Sequence, residues 1–181
     1  MSGFTLRKAA FEDIAEIGDV ISKSVRVLAK DIYDDRQIEL SILTVFGVDH
    51  QLISDGTYFV AENNVGKIAG CGGWSKRKTL YGASNYGQSR DSELLDPEID
   101  PAKIRAFFIH PDFARQGIAS AILNACESEA KEAGFISAEM MATLPGVPLY
   151  SARGYSGYER VQIPVSEGVN IECIRMRKEL E

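Results

Sequence analysis

The stretch from Ile104 to Gly134 constrains the fold more than any other part of the chain. Ile104-Arg105-Ala106-Phe107-Phe108-Ile109 is a short apolar run of the kind that fills the centre of a sheet. His110-Pro111-Asp112 ends it. Gly117 then opens a helix running to Glu132, with Ile118, Ile122, Cys126 and Ala130 recurring every fourth residue, and Gly134 terminates it. A buried strand that turns directly into an amphipathic helix requires a sheet with a helix against its face.

The flanking segments supply the rest of that sheet. Phe4 to Lys8 reads as an opening strand, and Glu12 to Ala29 as a helix with one apolar face (Ile14, Ile17, Val20, Ile21, Val25, Leu28). A second helix is expected from Asp35 to Phe46 or beyond. Thr57–Glu62 and Lys67–Trp74, joined through Asn63-Asn64 and Gly66, form a hairpin. Ser75 to Ala102 is polar, and long for a simple connection, which points to a functional loop. Phe135–Ala142 is another strand, Pro145–Arg153 a short helical segment closed by Gly154, and Tyr158–Pro164 and Asn170–Arg177 two last strands. The expected fold is α/β (α+β): a single domain over residues 1–181, with a mixed sheet flanked by helices and no internal repeat.

The 181 residues fit one domain of the usual ~100–200. With 20 Lys and Arg against 26 Asp and Glu, the net charge of −6 gives no basic footprint for nucleic acid. Cys71, Cys126 and Cys173 are odd in number and far apart, so they read as reduced thiols of a cytoplasmic protein. Neither a metal-ligand spacing, a signal core nor a membrane-length apolar run is present.

The turn between Ile109 and Ser120 carries the chemistry. A helix start offers unpaired N–H groups and a positive dipole end, and it binds phosphates. Gly117 has no Cβ to block a ligand, Ala119 is nearly as small, and Arg115 adds a fixed charge. Taken alone, Gly117-Ile118-Ala119 equally suits a glycine needed only for packing. A dinucleotide fingerprint would need three glycines and a distant acidic residue, and the Gly-Lys-Ser/Thr phosphate loop is absent.

The run Ile109-His110-Pro111-Asp112-Phe113-Ala114-Arg115-Gln116-Gly117-Ile118-Ala119 resembles the acetyl-CoA motif of the GCN5-related N-acetyltransferases (GNAT), Gln/Arg-x-x-Gly-x-Gly/Ala. Gly117 and Ala119 match, and Ala114 departs from the first position. Leu149-Tyr150-Ser151-Ala152-Arg153-Gly154-Tyr155 resembles the family's Phe-Tyr-x-x-x-Gly-Phe segment, about 30 residues downstream, with Thr143 where the family has Asn. Ile68 to Trp74 resembles its second and third strands, and the likeness covers nearly the whole chain. It implies a mostly antiparallel sheet and an acetyl-CoA-dependent N-acetyltransferase that acts on a primary amine of a small molecule or peptide. The implied co-substrate site comprises Phe107, Phe108, Ile109, Ala114, Arg115, Gln116, Gly117, Ile118, Ala119, Ser120 and Thr143. No metal, nucleic acid or membrane is implied, and dimerisation, common in the family, is raised.

Acetyl transfer needs a neutral amine, a donor to the thioester oxygen and a proton for the departing thiolate. The resemblance assigns the donor to a main-chain N–H near Phe108 or Ile109 and the proton to Tyr150. A tyrosine hydroxyl, ordinary pKa about 10, matches a thiol. Tyr155, where the family has Phe, reads as core. Glu98, Asp100 and Glu139 stand open as bases, as does the absence of a dedicated one. His110 reads as a turn residue, His50 as surface, and Cys126, on an apolar helix face, not as a nucleophile. Cys71 sits beside glycines, which suggests close packing or ligand approach. Lys76-Arg77-Lys78 is a solvated patch that could at most draw the 3′-phosphate. Tyr33, Tyr81, Tyr86 and Glu159 are plausible acceptor-side residues. Ala114 and Thr143 keep open a second reading, a non-catalytic acyl-CoA-binding regulatory module. A nucleotide-binding oxidoreductase lacks the glycine spacing.

Overall fold

The computed structural model describes residues 3–84, 86 and 91–181. The middle of the expected Ser75–Ala102 loop, residues 85 and 87–90, and the first two residues lie outside this set.

Seven strands form one sheet: β1 (Phe4–Lys8), β2 (Tyr58–Asn63), β3 (Ile68–Ser75), β4 (Ala102–Ile109), β5 (Ser137–Thr143), β6 (Ser156–Ser166) and β7 (Val169–Glu179). Their order is β1-β2-β3-β4-β5-β7-β6. Every neighbouring pair is antiparallel except β4 with β5.

Period-two alternation sends each strand's side chains to two separate cores. Tyr58, Val60, Ile163 and Ile171 face one side, where helix α1 (Ile14–Leu28) contributes Ile17, Val20, Ile21 and Val25, and helix α2 (Asp35–Thr44) contributes Ile38. Phe59, Ala61, Ile104, Ala138 and Met140 face the other, against Ile118, Ile122, Leu123 and Cys126 of helix α4 (Ile118–Glu132). The second expected helix is shorter than its sequence suggested. It ends at Thr44, and a separate short helix α3 (His50–Ser54) follows, capped by the Asp49 carboxylate, which accepts from the Leu52 N–H at 3.1 Å. Helix α5 (Val147–Ala152) is preceded by a 3-10 turn at Leu144–Gly146.

Two features of β4 position the site. The parallel ladder with β5 holds only from Ala102↔Ala138 to Ile104↔Met140, although β4 runs on to Ile109 and β5 to Thr143. Beyond that point the strands part and leave a gap in the sheet. In the same stretch β4 bulges: Gly72 alone stands opposite Ala106 and Phe107, and Ala106 takes φ 62°. The bulge lays the Phe107 ring over Gly72, where a Cβ would meet ring atoms at 2.7 Å. Glycine is required there by close approach rather than by its own dihedrals, and Cys71 beside it is buried.

Candidate active site

The cradle is built first. His110 ends β4, and its Nδ1 accepts from the Asp112 N–H at 3.2 Å, so this histidine caps the 3-10 turn at Pro111–Phe113. The chain then takes positive φ at Arg115 (62°) and again at Gly117 (82°), which precedes α4 without any side-chain cap. Left-handed residues in this spacing rotate successive amides toward one concavity. The N–H groups of Arg115 through Ser120 have no hydrogen-bond acceptor among the described residues. They stand at the positive end of a 15-residue helix. A Cβ on Gly117 would meet nothing within 4 Å, so the ground above that residue is open. Two guanidinium groups flank it. Arg115 is exposed and makes no ion pair among the described residues. Arg153 follows α5, and its Nε donates to the Ser120 hydroxyl at 3.1 Å.

From this cradle a cleft of about 760 Å³ runs to the gap between β4 and β5. That volume lies within the ~300–1,000 Å³ usual for ligand sites. Phe107, Phe108, Ile109, Ala114, Arg115, Gly117, Ile118, Ala119, Ser120 and Thr143 all line it, as do Tyr150 and Tyr33. Gln116 does not; its amide turns back toward the Asp112 carbonyl at 3.5 Å. A smaller pocket of about 80 Å³ lies beyond and shares Phe107, Phe108, Thr143 and Tyr150 with the cleft. Tyr81, Arg105 and Cys173 are among its other lining residues.

Main-chain geometry sorts the expected donors. The His110 N–H bonds to the Ala69 carbonyl of β3 at 2.9 Å, and Phe108 pairs with Cys71 on the same edge. Successive amides of an antiparallel strand face opposite edges, so the Ile109 N–H turns into the gap and that of Phe108 does not.

Tyr150 stands where cleft and pocket meet. It is buried, its ring lies edge-on to Phe107 at 6.3 Å, and Gly146 passes so close that a Cβ there would sit 2.7 Å from the ring. Its hydroxyl has no hydrogen-bond partner among the described residues. Burial pushes this phenol above its ordinary value, with the neighbouring Cys126 adding to the effect. The match to a thiol is therefore to be judged with both groups partly withdrawn from water inside the cleft. Desolvation raises a phenol and a thiol in the same direction, so the two remain comparable there. Tyr155 is core, its hydroxyl donating to Glu127 at 3.0 Å.

The other charged candidates fall elsewhere. Glu139 is buried on β5 away from both cavities, ion-paired with Lys103 and with Arg175 at 3.2 Å, and accepts from the Tyr158 hydroxyl at 2.9 Å. Burial alone would push its carboxyl up; Arg175 and Lys103, with Tyr158, hold it below its ordinary value. A carboxylate so committed is neither a solvated group nor a free base. Glu98 is exposed, and Asp100 accepts from the Asp96 N–H at 2.8 Å, both outside the cleft walls. The Lys76–Lys78 patch is also remote from the cradle: Arg77 pairs with Asp55 at 2.8 Å and Lys78 with Glu93 at 2.6 Å. His50 is exposed, Tyr86 donates to the Pro164 carbonyl at 3.0 Å, and Glu159 lies 3.8 Å from Arg175 at the surface. Sequence reasoning missed Arg153 and Ala106. The first had a signal, lying three residues after Tyr150 on the turn that faces Ser120; the second had none.

A sequence profile described as an acetyltransferase (GNAT) domain matches residues 54–156. No curated protein sequence matches the chain significantly. Among solved structures, a GCN5-related N-acetyltransferase from Rhodopseudomonas palustris is similar, with 21% identity over 99% of this chain and 98% of that one and a TM-score of 0.73. The PaiA N-acetyltransferase of Thermoplasma acidophilum, solved with coenzyme A, gives 14% identity, 97% and 98% coverage and a TM-score of 0.65. The yncA protein of Salmonella typhimurium, solved with acetyl-CoA, gives 16%, 99% and 95%, and 0.63. At these identities the likeness is one of fold.

Proposed function

The chain belongs to the GNAT acetyltransferase family, and on that premise we propose that it moves an acetyl group from acetyl-CoA to a primary amine of a small molecule or peptide by direct attack on the thioester. One observation carries the reading: open amides at Arg115–Ser120 stand at one end of a cleft whose other end holds the Tyr150 hydroxyl. The residues fit the co-substrate. The cradle offers N–H donors, a helix dipole and two guanidinium groups to a diphosphate, and the apolar cleft suits a pantetheine arm.

In this reading the Ile109 N–H, pointing into the gap, donates to the thioester oxygen as it gains charge. Such a donor is worth roughly 3 kcal/mol of barrier. The neutral amine enters from the pocket beyond Tyr150. Its nitrogen bonds to the carbonyl carbon, the C–S bond breaks, Tyr150 gives its proton to the sulfur, and the proton lost by the nitrogen passes to solvent, from which the phenolate regains its own. No carboxylate lines either cavity among the described residues, which favours an amine that arrives neutral over one deprotonated by a dedicated side chain. The free, buried cysteines support the cytoplasmic setting expected from the sequence.

Gly117→Glu tests the cradle by placing bulk and negative charge over the open amides. Acetyl-CoA affinity, measured by calorimetry, is expected to fall by at least a hundredfold; unchanged affinity would remove the assignment. Binding without CoA release across spermidine, alanine amide, kanamycin and a dipeptide would favour the regulatory module instead.

A further inference from the structure

The antiparallel ladder of β5 with β7 ends at Thr143↔Cys173. The next pair in register would set Leu144 opposite Glu172, yet the chain leaves the sheet here to form the turn that leads into α5 and Tyr150. The two main-chain groups that a continued ladder would join do not meet. The hydroxyl of Tyr33 stands between them. It accepts from the Leu144 N–H at 3.0 Å and donates to the Glu172 carbonyl at 2.6 Å. Tyr33 comes from the connection between α1 and α2, is buried, and also lines the cleft. Its hydroxyl proton and one of its lone pairs are thereby committed, so it is not available as an acid. Burial raises its pKa and keeps it protonated.

We propose that Tyr33 is a positioning residue for Tyr150: its hydroxyl replaces one rung of the β5–β7 ladder and so fixes where the Leu144–Gly146 turn, and the catalytic phenol behind it, leave the sheet. The inference rests on Tyr150 acting as the acid. The physical reason is geometric. Without the bridge, the Leu144 N–H and the Glu172 carbonyl either stay unpaired beside an apolar cleft or close on each other and extend the ladder by a residue. Either change moves Gly146, which packs directly on the Tyr150 ring. The phosphate cradle, on a different loop, is untouched.

A double-mutant cycle tests this, reading CoA release from acetyl-CoA with hydroxylamine as surrogate amine. Tyr33→Phe is expected to lower kcat about tenfold, since small misplacements of reacting groups are costly, while acetyl-CoA affinity by calorimetry stays within twofold. In a Tyr150→Phe background the same substitution should have almost no further effect on kcat. An equal loss in both backgrounds would mark Tyr33 as merely structural and overturn the proposal. An unaltered rate in Tyr150→Phe alone would overturn the acid assignment itself, and this inference with it. A measurement on the unsubstituted protein guards against a variant that fails to fold. The Leu144 amide should exchange slowly with deuterated solvent; rapid exchange would show that the bridge does not hold and would overturn the proposal.

Discussion

At the scale of single residues, the site depends on groups left without partners. The Tyr150 hydroxyl and the amides of Arg115–Ser120 have no hydrogen-bond partner among the described residues and open onto the cleft, where a ligand can reach them. Such groups persist where a ligand completes them. Tyr150→Phe is expected to cut turnover roughly a hundredfold, the low end for a general acid, and to leave acetyl-CoA affinity nearly unchanged. The pH profile adds a check. The raised pKa of Tyr150 means its proton is present throughout the physiological range and is lost only as pH rises past the ordinary tyrosine value of about 10. Turnover should therefore rise with pH as the amine loses its proton, and show no decline by about pH 10 in initial-rate measurements. A fall beginning near neutrality would assign the essential acid to another group.

At the scale of elements, periodicity located most strands and helices, and their ends were decided by local chemistry. The Asp34 carboxylate accepts from the Gln37 N–H at 2.8 Å, and the Gln37 side chain accepts from the Asp34 N–H at 2.9 Å, a reciprocal cap that starts α2. Gln37 also donates to the Asn170 carbonyl at 2.9 Å, so the same cap ties α2 to the start of β7. Asp34→Ala should destabilise the protein by about 1 kcal/mol, lowering Tm by roughly 2–4 °C. Because Asp34 adjoins Tyr33, kcat should fall as well, more than for an equally destabilising change on α4. Helix α3 escaped sequence reading because its five residues are too few to display a period. The end of α2 was overrun for the opposite reason: Val45 and Phe46 continue the apolar pattern after the helix has stopped, and they are held by the 80s loop, whose Ala83 N–H donates to the Val45 carbonyl at 2.9 Å.

At the scale of the whole molecule, ion pairs tie segments together, some close in sequence, as Arg7 with Asp13, and some across strands, as Lys103 with Glu139. The hydrogen bond from Arg7 holds Asp13 below the usual carboxylate range, that from Arg77 does the same for Asp55, and Arg175 with Lys103 overcomes burial at Glu139. A carboxyl whose folded pKa is depressed contributes stability that is fully present above its unfolded value of about 4 and is lost as pH falls through the folded one. Thermal melts should accordingly give a nearly constant Tm from about pH 8 to 5 and a steep decline below about pH 4. A protein equally stable at about pH 3 would show that these pairs contribute nothing net.

The sequence by itself determined the alternation of strands and helices, the glycine-opened helix and the order of its two motifs, because these rest on neighbours within a turn or two of chain. Gly117 and Tyr150 were singled out by the resemblance of their two segments to the family's motifs rather than by local pattern alone. Tertiary structure alone decided the left-handed Ala106, since alanine gives no local sign of positive φ and the bulge arises from pairing with β3. It also decided that Glu139 is locked in an ion cluster and that Tyr33 bridges Leu144 and Glu172, 111 and 139 residues away. Contacts between residues that far apart leave no periodicity to read; they exist only once the sheet has brought the segments together.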